Sequence, residues 1–348
     1  MRRRCIALAR AVGTAGILAV LAAGPEEAWG RSWPGIVAGG APVRHTPREP
    51  GALLSARTLV VAPGGSHADL ATALAEARDG DAVEVHGGLH AGPVVVERAI
   101  ALVGIDDPVI DGGGQGTVVT FKAAGGRIAG FTIRASGTRN DREDAGIQAF
   151  GPVVVEHNRL EDVLFGVDVQ IGPGSVVADN TIVGRDIDIA RKGDAIRMWE
   201  SHDSRVERNR VIGARDVVIW YSERVTVRDN QVSGSRYGLH FMYSSGSQVT
   251  GNRLERNAVG AYAMYSADIV YERNVLAGNH GPSGYGIALK DTDNIRIAHN
   301  VIAGNRTGLY FDNSPGKPDS YNHLQDNVIA FNDIGAAFLP SVKRNVFA

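Results

Sequence analysis

Asn230-Gln231-Val232 is followed by Leu239-His240-Phe241-Met242, and 22 residues on, Asn252-Arg253-Leu254 is followed by Ala261-Tyr262-Ala263-Met264 at the same offset. The unit recurs along the chain. An asparagine with an apolar residue within two positions returns as Asn158, Asn180, Asn209, Asn230, Asn252, Asn274, Asn300, Asn327 and Asn345, at spacings of 22, 29, 21, 22, 22, 26, 27 and 18. A fixed period of this size is the mark of a repeat architecture. Ankyrin and tetratricopeptide units need longer helical repeats, and a leucine-rich repeat needs a leucine ladder that is missing. The second landmark of the unit aligns as Ile196-Arg197-Met198-Trp199, Val217-Val218-Ile219-Trp220, Leu239-His240-Phe241-Met242, Ala261-Tyr262-Ala263-Met264, Ile287-Ala288-Leu289-Lys290 and Leu309-Tyr310-Phe311-Asp312. Columns one and three are apolar in every coil and predict inward side chains, so columns two and four point outward. Together these features predict an all-β chain, a right-handed single-stranded parallel β-helix of about 22 residues per coil, over residues 57–348. Asparagine suits each bend because it tolerates left-handed backbone and its amide can bond the next coil.

Toward the N-terminus the pattern changes. Asp69 to Arg78 carries strong helix formers with Leu70, Leu74 and Ala77 on one face, and stops at Asp79-Gly80. One short helix ahead of an all-strand region predicts a cap over the open end of the solenoid. Residues 31–56, rich in proline and glycine and without hydrophobic period, read as a flexible leader. Residues 1–30 read as an export signal: Arg2, Arg3 and Arg4, then apolar Val12 to Ala23, too short for a membrane span, then the small-x-small Ala28-Trp29-Gly30. The single cysteine, Cys5, lies inside that signal, so the exported chain has no disulfide framework and no thiolate metal site. Composition agrees: 44 glycines against 6% aromatics favour short strands and turns, and a net charge of −2 without a long basic run argues against a nucleic-acid partner.

In register, outward residues of adjacent coils stack about 4.8 Å apart. Column four reads Trp199, Trp220, Met242, Met264, Lys290, Asp312; column two reads Arg197, Val218, His240, Tyr262, Ala288, Tyr310. Two of only four methionines therefore stack one coil apart, with His240 two residues from Met242 on the same face. Two thioethers and an imidazole form a soft donor set suited to Cu(I). The competing reading is a greasy strip covered by another protein. His157, His299 and His323 lie near turns and read as solvent-facing. Asp194, Asp291 and Asp312 are the candidates for a sugar-processing acid pair, with Trp199, Trp220 and Arg197 as sugar contacts, but they do not share a column.

Several longer strings carry a resemblance: Lys192-Gly193-Asp194-Ala195-Ile196-Arg197-Met198-Trp199, Arg236-Tyr237-Gly238-Leu239-His240-Phe241-Met242-Tyr243-Ser244, Gly281-Pro282-Ser283-Gly284-Tyr285-Gly286, Gly304-Asn305-Arg306-Thr307-Gly308-Leu309-Tyr310 and Asp312-Asn313-Ser314-Pro315. In this order they resemble the NosD family of periplasmic nitrous-oxide-reductase maturation proteins, within the β-helical carbohydrate-binding and sugar-hydrolase-like group. The likeness spans roughly residues 57 to 345. It implies a non-enzymatic periplasmic accessory. Such a protein works with the membrane and ATPase subunits of an ABC transporter and receives copper from a dedicated chaperone. It helps assemble the copper–sulfide centre of nitrous oxide reductase, with sulfur a possible second cargo. His240, Met242 and Met264 are then the residues expected to handle copper, chosen by the stacking rather than by the resemblance. Family members continue further, so the end at Asn345-Val346-Phe347-Ala348 is expected to leave an open sheet edge for further chain or a partner to cover. The alternatives are a polysaccharide-active lyase or uronate epimerase, and a metal-free scaffold.

Overall fold

A parallel coil stack needs one apolar residue per strand facing in, a turn that satisfies its own backbone, and a device that holds register between coils. The computed structural model describes residues 57–348 and has all three; the expected export signal and leader lie outside the described residues. Short strands wind into a right-handed parallel solenoid of about 13 turns with about 23 residues per coil. They form one thirteen-stranded sheet and two eleven-stranded sheets. A representative coil runs Thr226–Arg228, Gln231–Ser233, Tyr237–Met242, one strand in each sheet, before the next coil begins at Gln248–Thr250. Insertions leave the stack undisturbed: the 29-residue spacing between Asn180 and Asn209 accommodates a short helical turn, Ile189–Arg191, outside the coil.

The expected inward columns are the core. Leu239 pairs with Ala261 and Phe241 with Ala263, and all four are fully buried, as are Ile196, Met198, Ile219 and Ile287. A second column, Val206, Val227, Val249, Tyr271, Ile297 and Leu324, lines the thirteen-stranded sheet. The N-terminal helix, Leu70–Glu76, is capped by Asp69, whose carboxylate accepts the Thr72 N–H at 2.8 Å. Leu70, Ala73 and Ala77 join the core from this end while Leu74 is only partly buried, so the buried face is slightly rotated from the expected one.

The asparagines are the register device, although not through left-handed backbone. Asn158 through Asn327 form an unbroken ladder in which each Nδ2 donates to the Oδ1 of the next coil's asparagine at 2.9–3.1 Å. The same Oδ1 also accepts the backbone N–H of the asparagine below, as Asn252 does for Asn230 at 2.9 Å. The left-handed residue at each bend is the one before: His157, Asp179, Arg208, Asp229, Gly251, Arg273, His299 and Asp326. The asparagine stays in ordinary backbone so that its amide points inward. Asn345 is not a rung of this ladder. It begins the last strand of the thirteen-stranded sheet, its Oδ1 taking the Nδ2 of Asn322 at 2.9 Å, and its odd spacing of 18 reflects that different station. Two further ladders exist: Asn257, Asn279, Asn305 and Asn332 at a second bend, and Ser201, Ser222, Ser244 and Ser266 at the third.

Replacing Asn252 by alanine strands the backbone N–H of Asn230 and one of its two amide N–H donors in a buried turn, the other keeping the Val206 carbonyl. At about 1–3 kcal/mol per unsatisfied buried group, denaturant unfolding should show a loss of roughly 3 kcal/mol. A change below about 0.5 kcal/mol, the size of an ordinary surface substitution, would mean the ladder does not hold the coils.

Candidate functional site

The outward face of the sheet containing Tyr237–Met242 carries the candidate residues, and backbone pairing places them in two continuous columns. Column two runs Thr120, Gln148, Asp168, Arg197, Val218, His240, Tyr262, Ala288, Tyr310. Column four runs Gln170, Trp199, Trp220, Met242, Met264, Lys290, Asp312. Met242 and Met264 are thus direct Cα partners on adjacent coils, both half-buried.

Outward does not mean exposed in column two. Arg197, Val218 and His240 are all buried. Arg197 is held between two acids, its Nε at 2.8 Å from Asp168 and its Nη2 at 2.7 Å from Glu143. Glu143 comes from a loop that meets a second loop through Asn140 Nδ2 and the Arg191 carbonyl at 3.0 Å. The His240 ring stands against Tyr237, edge-on at 5.0 Å, and beside Tyr262 at 6.4 Å. Alternation alone cannot show that a side chain leaving the core meets another layer.

Beside column two lies a row of charge that the sequence columns did not align. Asp194 accepts Arg215 Nε at 2.9 Å, and one coil later Asp216 accepts Arg236 Nε and Nη2 and the Tyr237 N–H at 3.2 Å, with His240 Nδ1 lying 3.4 Å away. The two carboxyls are driven apart. Burial, then the neighbouring charge of Asp216, raises Asp194 to about 6 against the pull of Arg215. For Asp216 burial also pushes upward, but the hydrogen bonds from His240 and Arg236 outweigh it and hold the group below its ordinary value. Of the three acids expected for sugar chemistry, only Asp194 is here. Asp291 sits in a left-handed bend and Asp312 faces Lys290 at 3.9 Å. The acid that neighbours Asp194 is Asp216, and an arginine occupies both oxygens of each.

Next to column four stands a feature unanticipated from the sequence. Tyr221, Tyr243 and Tyr265 stack face to face with ring centroids 5.0 Å apart, exposed, each with positive φ (48°, 51°, 51°). The signal was present as a Tyr-Ser pair one residue past Trp220, Met242 and Met264. The serine hydroxyls cap the bend, Ser244 Oγ donating to the Met242 carbonyl at 3.1 Å. That bend forces each tyrosine into the left-handed region and out from the sheet.

Among the described residues no group of three or more His, Cys, Asp or Glu is arranged to hold an ion, so a metal here needs softer donors. Met242 and Met264 supply two, on one column. His240 supplies a third, two positions along the same strand, and its Nε2 is buried without a hydrogen-bond partner. Trp220, the partner of Met242 on the preceding coil, has an indole N–H in the same condition. A buried imidazole nitrogen with nothing to bond and two adjacent thioethers fit a monovalent soft ion. Of the other histidines, His157 and His299 occupy left-handed bends and His323 is an exposed strand residue.

These features define a class: a parallel β-helix with a soft-donor patch on one outward sheet face. Residues 178–348 match the family described as periplasmic copper-binding protein (NosD). The chain is also 30% identical over 306 residues to the probable ABC transporter binding protein NosD of Pseudomonas aeruginosa, covering 68% of this chain and 72% of that one. This chain belongs to the NosD family. Solved structures share only the fold. Polygalacturonase from Erwinia carotovora superposes with a TM-score of 0.62 at 14% identity, over 84% of this chain and 96% of its own. The A-module of the Azotobacter vinelandii mannuronan C-5 epimerase AlgE6 gives 0.56 at 13%, over 80% and 93%.

Because the folded protein binds the Asp194 proton more tightly than the unfolded chain, this group contributes stability below about pH 4, its ordinary range, and loses it as pH rises through about 6. Carbon-detected carboxyl titration should show one aspartate midpoint near 6 that vanishes in Asp194→Asn. If every aspartate titrates in the ordinary range, the two acids are not the buried neighbours described.

Proposed function

We propose that this chain is a periplasmic copper carrier that holds Cu(I) transiently through Met242, Met264 and His240 on the outward face of the solenoid. It passes the ion toward the copper–sulfide centre of nitrous oxide reductase, receiving it from a copper chaperone and acting beside an ABC transporter. The observation that carries the reading is the pairing of Met242 with Met264 on adjacent coils, with the unpartnered Nε2 of His240 on the same strand. Thioethers are neutral donors that need no deprotonation, so they take up Cu(I) in a compartment where thiols oxidise. A site of only two or three ligands binds loosely enough to release its ion to the next protein. The family description and the name of the Pseudomonas aeruginosa relative support copper and a transporter respectively.

A polysaccharide-active enzyme is the less favoured reading. Such sites need paired acids free to move protons on a substrate, whereas Asp194 and Asp216 are buried and each is clasped by an arginine.

Methionine-to-leucine changes hold volume nearly constant and cost under about 1.5 kcal/mol, so the double variant Met242→Leu, Met264→Leu should fold. Competition with a chromophoric Cu(I) chelator should show its affinity reduced at least about tenfold, the effect of roughly 1.4 kcal/mol, and cells carrying it should accumulate copper-deficient nitrous oxide reductase. Undiminished binding with full maturation would make the methionines packing residues of a covered strip.

A further inference from the structure

His240 is anchored from behind by a carboxylate whose every contact is with a donor. Asp216 is only 1% exposed. Its Oδ1 accepts Arg236 Nε at 3.0 Å and the Tyr237 N–H at 3.2 Å; its Oδ2 takes the second Arg236 nitrogen and stands 3.4 Å from His240 Nδ1. Local strand geometry brings the two side chains together. The pairing of Asp216–Trp220 with Tyr237–Met242 slips by one residue, so Asp216 lies opposite Tyr237 while Val218 lies opposite His240. A bulge of this kind re-aims side chains relative to a regular ladder. Here it sets the carboxylate beside the imidazole one coil above.

The chemistry of that contact is one-sided. An ionised carboxylate only accepts, so the ring nitrogen facing it must carry the hydrogen. A neutral imidazole with its proton on Nδ1 has its lone pair on Nε2, and Nε2 is the atom left buried without a partner. A buried acceptor left unsatisfied is disfavoured, so the atom is free to take a ligand. Metal-binding histidines characteristically donate their other N–H to a carboxylate or carbonyl in this way, which orients the ring and raises its basicity. We propose that Asp216, backed by Arg236, is a positioning residue for Cu(I) capture: it locks His240 as the Nδ1–H tautomer and presents the Nε2 lone pair to the ion. This rests on the carrier reading above. Asp216 itself touches no ion. Tyr237 and Tyr262 also flank the ring, and of its two nitrogens Nε2 is the one without a partner.

The test uses the full chain labelled with nitrogen-15 at histidine, with the His240 resonances assigned by their loss in His240→Gln. Long-range proton–nitrogen correlation at neutral pH should show His240 protonated at Nδ1 and bare at Nε2, and Asp216→Asn should abolish that preference. Chelator competition with Cu(I) alone should show Asp216→Asn weakening binding about 10–100-fold. Combining it with His240→Gln should add little to the loss from His240→Gln by itself. A wild-type ring protonated at Nε2 overturns the inference, and this holds even where Asp216→Asn does not fold. Undiminished Cu(I) affinity in a folded Asp216→Asn, with His240→Gln still weakening binding, overturns it and leaves the carrier reading intact. If His240→Gln and the methionine double variant both bind Cu(I) like the wild type, the carrier reading fails, and this inference with it.

Discussion

From Asn158 to Asn327 the amide of one asparagine per coil fixes the register on which the neighbouring residues depend. Parallel coils have no hairpin to set their register, and a slip of one residue would turn each inward side chain out. The ladder from Asn158 to Asn327 prevents that slip by engaging each amide in both directions, donating to the coil above and accepting from the coil below. Because side-chain and backbone donors of one bend share an acceptor on the next, a displaced coil would strand several buried polar groups at once. Insertions of different length, between Asn180 and Asn209 or between Asn274 and Asn300, are pushed outside the coil while the ladder continues through them.

Register of that kind makes chemistry by stacking. Residues 22 apart in sequence become neighbours about 4.8 Å apart on a sheet surface, so a donor placed once per coil becomes a column of donors. Met242 and Met264 meet in this way, and so do the rings of Tyr221, Tyr243 and Tyr265. The buried row beside them follows the same rule with charge: Asp194 with Arg215, then Asp216 with Arg236, one coil later. Buried acids are tolerated only because a guanidinium comes with each. Where the row ends, His240 takes a place on Asp216 and leaves one ring nitrogen unused.

Much of this was legible in the sequence because solenoid periodicity is local and repeats. Columns one and three, and the pairing of Met242 with Met264, could be read by aligning four-residue strings. What escaped depends on distances that no string contains. Burial of His240 and Arg197 on an outward face requires knowing that Tyr237, Tyr262 and the loop bearing Glu143 lie over the sheet. The role of Asp216 requires a one-residue slip in strand pairing that leaves no trace in the alternation. Asn345 shares the local pattern of the ladder asparagines yet belongs to another bend, which only its spacing of 18 betrayed.

X-ray absorption at the copper edge of the Cu(I)-loaded chain, with Cys5 replaced by serine, tests the central claim most directly. Sulfur can then come only from methionine; Met198 faces the closed core, and the double variant Met242→Leu, Met264→Leu, which should lose both sulfur scatterers, controls for Met1. A first shell of two sulfur scatterers with one imidazole nitrogen is expected. A shell of nitrogen and oxygen alone would place copper elsewhere and contradict the assignment to Met242 and Met264.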